Sequence, residues 1–158
     1  MKLLKNIAIF VGISLLLFSN NLILAYKKSM PLEVSDEYAQ IVSEYKNKRG
    51  GLAELDGNYN YSGTYKGSNV YADFSFKKNK LVYELSLNKD GKEIHMSTRA
   101  NYRIKGRAIV FEKIEGDKSL LPVIGIPFKV LGNKDLQIQI GDNPSIVIKN
   151  TYSEMVNS

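Results

Sequence analysis

The chain has one histidine and no cysteine, which narrows the chemistry open to it. His95 is the one side chain whose ordinary pKa suits proton transfer near neutrality. It lies in the run Glu93-Ile94-His95-Met96-Ser97-Thr98-Arg99, where it shares the polar alternate positions with Ser97 and Arg99. A Ser-His-Asp arrangement needs a shielded imidazole beside a serine and a carboxylate, and a solvent-facing His95 does not supply that. One imidazole without a thiol falls short of the usual zinc ligand sets. The carboxylates Asp73, Glu84, Glu93 and Glu112 fall on wet faces, and no pair stands out for acid–base work. Gly132-Asn133-Lys134-Asp135 and Gly141-Asp142-Asn143 have the wrong ligand spacing for a calcium loop and read as hairpin turns. The expectation is a protein that is not an enzyme and carries no metal or cofactor.

The tyrosines offer binding rather than catalysis. Tyr59, Tyr61, Tyr65, Tyr83 and Tyr102 all fall on the inward-facing alternate set of their segments. A buried tyrosine needs a partner for its hydroxyl, so an inward set of them can line a cavity and hydrogen-bond the head of a ligand. The same residues can equally fill the interior of a small barrel, with their hydroxyls reaching its ends.

These residues are positioned by strands. Val70, Ala72, Phe74 and Phe76 alternate with Tyr71, Asp73, Ser75 and Lys77, and Leu81, Tyr83, Leu85 and Leu87 alternate with Val82, Glu84, Ser86 and Asn88. A period of two puts one set in a core and the other in water. Strands are expected near 57–66, 69–77, 80–88, 92–105, 107–114, 126–132, 134–140 and 145–150, with short Gly/Asn/Asp turns between most of them. Short turns join neighbours antiparallel, so the fold class is mainly β: a meander of about eight strands closed into a barrel. Phe74, Phe76, Leu85, Tyr102, Ile104 and Ile138 are expected in its core, with His95, Arg99 and Arg103 outside. The connection over 115–127 is longer and apolar, with Pro122, Gly125 and Pro127. Its Leu120, Leu121 and Ile124 either fold over one end of the core or form a rim on a cavity.

One helix precedes the strands. Ser35 can cap it, Asp36 and Glu37 suit its positive end, and Gly50-Gly51 is placed to stop it. Tyr38, Ile41, Val42 and Tyr45 make one apolar stripe, which either packs on the strand domain or meets a partner protein or a membrane surface.

The N-terminus reads as an address. Lys2 and Lys5 precede an uncharged apolar run over 7–18, and Ala25 suits a cleavage point. The segment 7–25 has either the layout of a signal peptide or the length of an uncleaved membrane anchor. The organisation is then 1–25 signal or anchor, 26–51 linker and helix, 52–152 barrel domain and 153–158 tail. The domain is expected outside the cytoplasm, where it holds together without disulfides. The formal charge is +6, and loss of Lys2 and Lys5 leaves +4, a mild basic bias spread over short clusters. No nucleic-acid-binding motif is present.

Asp56-Gly57-Asn58-Tyr59, Asp73-Phe74-Ser75-Phe76, Tyr102-Arg103-Ile104-Lys105-Gly106-Arg107 and Leu136-Gln137-Ile138 together resemble the small lipocalin-like, calycin-type barrels of bacterial envelopes. In that family a Gly-x-Trp opens the first strand; Gly57 matches the glycine, and Tyr59 stands in the tryptophan's place. The resemblance is one of pattern over about residues 55–150. It implies a barrel that binds a small hydrophobic molecule, and fold alone does not establish that function.

Overall fold

The computed structural model describes residues 30–50 and 52–151. The apolar segment 7–25 and the tail 153–158, with the expectations placed on them, lie outside the described residues. The elements are a helix α1 (Asp36–Asn47), strands β1 (Gly57–Tyr65), β2 (Ser68–Lys77), β3 (Lys80–Lys89), β4 (Lys92–Lys105) and β5 (Ala108–Gly116), a 3-10 turn η1 (Lys118–Leu120), and strands β6 (Ile126–Val130), β7 (Leu136–Ile138) and β8 (Ile146–Asn150).

The eight strands pair antiparallel in sequence order, and β8 returns to β1 to close the barrel. Hairpin chemistry fixes the register. The pairs Tyr65–Ser68, Lys77–Lys80 and Lys89–Lys92 flank two-residue loops. Those loops, Lys66-Gly67, Lys78-Asn79 and Asp90-Gly91, have positive φ at both positions. That is the turn whose twist matches the flanking strands. With the register pinned, alternate residues face inward, and Phe74, Phe76, Leu81, Tyr102, Ile109, Phe111 and Ile138 are buried in one core. His95, Arg99 and Arg103 are exposed, whereas Leu85 and Ile104 are half-buried instead of sealed.

Two features depart from simple alternation. β5 runs to Gly116 with a bulge, in which Lys113 takes φ 52° and the register shifts opposite the span between Arg99 and Asn101. β7 is only three residues long, and the turn before it is tied down by a buried carboxylate. Asp135 is 4% exposed and accepts the Asn150 backbone N–H at 2.8 Å, holding the last residue of β8 against the barrel.

Helix α1 lies over β5 and β6. The Ser35 Oγ accepts the Tyr38 N–H, and the Asp142 carboxylate accepts the Ser35 N–H at 3.0 Å, so a negative group sits at the positive helix end. Tyr38 and Val42 are fully buried against Ala108, with Tyr45 packed beside them. The helix ends at Asn47 through an extended Lys48, before Gly50-Gly51 is reached. The reason lies in the β4–β5 turn. Arg107 donates its backbone N–H to Tyr45 O at 2.8 Å, which satisfies a carbonyl of the last helical turn. Gly106 makes that approach possible. Its φ is +58°, and a Cβ there would stand 2.4 Å from Lys46 O.

Gly67 also has positive φ (+79°), but a Cβ there meets nothing. Both glycines share the left-handed penalty, so comparing their alanine variants isolates the helix contact. Gly106→Ala should cost about 1–3 kcal/mol more than Gly67→Ala in denaturant unfolding. Equal losses would show that the helix does not depend on this approach.

Candidate ligand cavity

Side-chain size changes along the barrel axis, and this difference opens a cavity. At one end the inward residues are large: Phe74 and Phe76 on β2, Tyr59 on β1, Tyr102 on β4 and Phe111 on β5. Toward the other end β2 contributes only Val70 and Ala72, and β1 has Gly63. A Cβ on Gly63 would fall 2.3 Å from the Tyr61 hydroxyl, so the glycine leaves room for that ring. The space left is about 470 Å³, within the ~300–1,000 Å³ range of small-molecule sites.

The walls are Tyr61, Thr64 and Tyr65 from β1, Val70 and Ala72 from β2, and Tyr83, Leu85 and Leu87 from β3. Ile146 of β8 and the preceding loop, with Ile140, Asn143, Pro144 and Ser145, form another side. Ser119 and Leu120 come from η1, and Leu32 from the segment before α1. Leu32 is held there because its N–H reaches the carbonyls of Lys118 and Leu121, at 3.2 and 3.3 Å. At the rim the Tyr65 hydroxyl donates to Asn143 Oδ1 at 3.0 Å. No lining residue is charged.

Tyr83 makes the floor. Its ring stacks on Phe74 with centroids 4.3 Å apart and planes 10° from parallel. The residue is 5% exposed, and burial pushes its phenol well above the ordinary value. Among the described residues its hydroxyl has no hydrogen-bond partner, and the oxygen is not sealed in the core but opens on the cavity.

The tyrosines expected to share one lining thus divide in two. Tyr61, Tyr65 and Tyr83 line the cavity, whereas Tyr59 and Tyr102 belong to the plugged end. There Tyr102 donates its O–H to Leu55 O and accepts the Leu55 N–H at 3.2 Å, while Phe76 meets both Tyr102 and Tyr59 edge-on. Burial pushes the Tyr102 phenol up to about 12, opposed by its bond to Leu55. Of the apolar connection, Leu120 reaches the cavity, Leu121 is sealed in the core, and Ile124 packs beside Tyr38 and Val42. The stripe of Tyr38, Ile41, Val42 and Tyr45 covers the barrel wall, with Ile41 half-buried at its edge.

Cross-strand pairing creates one juxtaposition that alternation within a single strand does not display. Ser86 lies opposite His95, with Oγ 2.8 Å from Nδ1, and His95 Nε2 lies 3.3 Å from Glu93 Oε1. The histidine and glutamate side chains are 67% and 58% exposed on the outer face, away from the cavity lining. A chain of this kind without a shielded pocket leaves a reacting group in water, where such contacts do little. Among the described residues, no cluster of histidine and carboxylates suits a metal ion, and no helix is long and apolar enough to cross a membrane.

Comparison with protein-family models found no match, and comparisons with curated proteins and with solved structures found none either. The cavity and its lining are therefore what the functional reading rests on.

The plug predicts an alkaline limit. A phenol with a raised folded pKa stabilises the fold fully below the unfolded value of about 10 and loses that contribution as pH rises through the folded value. Stability should hold up to about pH 10 and fall toward pH 12. Tyr102→Phe should cost about 1–3 kcal/mol at neutral pH, because Leu55 loses its partner, and should make the alkaline fall shallower. Denaturant midpoints across pH for both proteins measure this; identical curves would place Tyr102 outside the plug.

Proposed function

We propose that this chain is a binding module of the cell envelope that holds a small apolar or amphipathic molecule inside its barrel, in the manner of the lipocalin-like barrels its sequence resembles. The observation that carries the proposal is the apolar cavity, open at one end and floored by the Tyr83–Phe74 stack. Burying an apolar ligand there removes its surface from water at about 25 cal/mol per Å², and the pre-formed walls keep the ordering cost low. The role is reversible binding, with no chemical step.

Placement supports an envelope source for the ligand. Leu32 lines the cavity and stands seven residues beyond Ala25. If the segment 7–25 stays in a bilayer, a linker of that length keeps the mouth within about 25 Å of the membrane surface. If it is cleaved, the same barrel becomes a soluble carrier.

Filling the cavity tests the reading. The probe is N-phenylnaphthylamine, a neutral dye that brightens in apolar sites. Wild-type protein should enhance its fluorescence saturably. Leu85→Trp, which places a large ring in the cavity, should weaken binding at least about tenfold while the thermal midpoint stays level or rises. Absence of saturable binding by the wild type, or equal binding by the variant, would overturn the proposal.

A further inference from the structure

We propose that the ligand is an uncharged amphiphile that enters with a hydrogen-bond-accepting oxygen first and delivers it to the Tyr83 hydroxyl at the cavity floor. The inference rests on the binding reading above and adds the ligand's charge and orientation.

Two observations carry it. First, no charged side chain lines the cavity. A carboxylate, phosphate or ammonium group drawn inside would lose its water without gaining a counter-charge, which is strongly unfavourable. The rim offers little to hold a charged head either. The Lys66 ammonium stands over the Tyr65 ring, 5.1 Å from its centroid, and a single exposed lysine contributes little to holding an anion. Asn143 is committed within the protein, its Oδ1 accepting the Tyr65 hydroxyl and its Nδ2 donating to Ile140 O at 2.9 Å.

Second, among the described residues the Tyr83 hydroxyl has no protein partner and opens on the cavity, so it is a free donor at the inner end of the site. Its neighbour across β3–β4, Thr98, is already committed, donating its hydroxyl to Glu115 O at 2.8 Å. A ligand that entered tail-first would press methylenes against the Tyr83 oxygen and leave it unsatisfied. A ligand with a carbonyl or hydroxyl oxygen at its inner end satisfies it. Burial keeps the phenol protonated, so Tyr83 donates. The aliphatic remainder then lies along Leu85, Leu87, Val70 and Ile146 toward the mouth.

Displacement of bound N-phenylnaphthylamine by decanol and by decanoate, at about pH 8 where the acid is ionised, tests this. Decanol should compete at least about tenfold more tightly than decanoate. Tyr83→Phe keeps the ring on Phe74 and removes only the oxygen. It should weaken decanol about three- to tenfold while leaving decanoate and the dye unchanged. Decanoate competing as well as decanol, or decanol unaffected by Tyr83→Phe, would overturn the proposed charge and orientation while the cavity reading stands. Failure of the dye itself to bind the wild type would overturn both.

Discussion

Everything in this fold depends on closing the barrel, and closure is weakest at two seams. The hairpins between β1 and β5 pair over long ladders, but β8 meets β1 through Tyr59–Asn150 and Asn60–Lys149, and β5 meets β6 through Ala108–Pro127 and Ile109–Ile126. Short ladders leave backbone groups to be satisfied by other means. At the first seam Asp135 takes the Asn150 N–H, and Thr151 donates its hydroxyl to Asn58 O at 3.0 Å. At the second, α1 lies across the strands. The Tyr38 hydroxyl stands 2.8 Å from Gln139 O and 3.1 Å from Gly125 O, within reach of either carbonyl for its one proton. The helix stripe thus packs on β5 through Ala108, while its Tyr38 hydroxyl reaches the backbone just before β6 and just after β7.

Closure also decides that a cavity can exist. An eight-stranded barrel is just wide enough for side chains to fill it, so any sizeable space must come from small inward residues. Val70 and Ala72 supply that on one half, while Phe74, Phe76, Tyr59 and Tyr102 solidify the other. The two halves divide the work. The aromatic plug supplies the packed core that a chain without disulfides needs, and the open half is free to remain hollow.

The strands and their order were legible because the signal is local: a period of two, broken by turn residues whose positive φ is written in Lys-Gly, Lys-Asn and Asp-Gly pairs. Ser35 was legible as a cap for the same reason. The helix end was not, because it is set by Gly106 and Arg107, some sixty residues downstream. The buried Asp135 was hidden likewise, since turn chemistry explains an aspartate without revealing that its carboxylate reaches β8. The Ser86–His95–Glu93 contact required the register between strands, not the pattern within one.

The division of the tyrosines shows most clearly where alternation stops. It assigns a residue to a face but carries no information about depth along the barrel axis. Tyr83 and Tyr102 are both inward, yet one hydroxyl is locked to the Leu55 backbone at the plug and the other opens on the cavity floor. Depth follows from shear and strand tilt, which fix the neighbours each inward residue meets. What separates these two tyrosines is then a matter of partners. Leu55 reaches Tyr102 because the chain before β1 folds back under the barrel's closed end. At the hollow half Val70 and Ala72 leave space, and the Tyr83 hydroxyl opens on that space instead of meeting a backbone group.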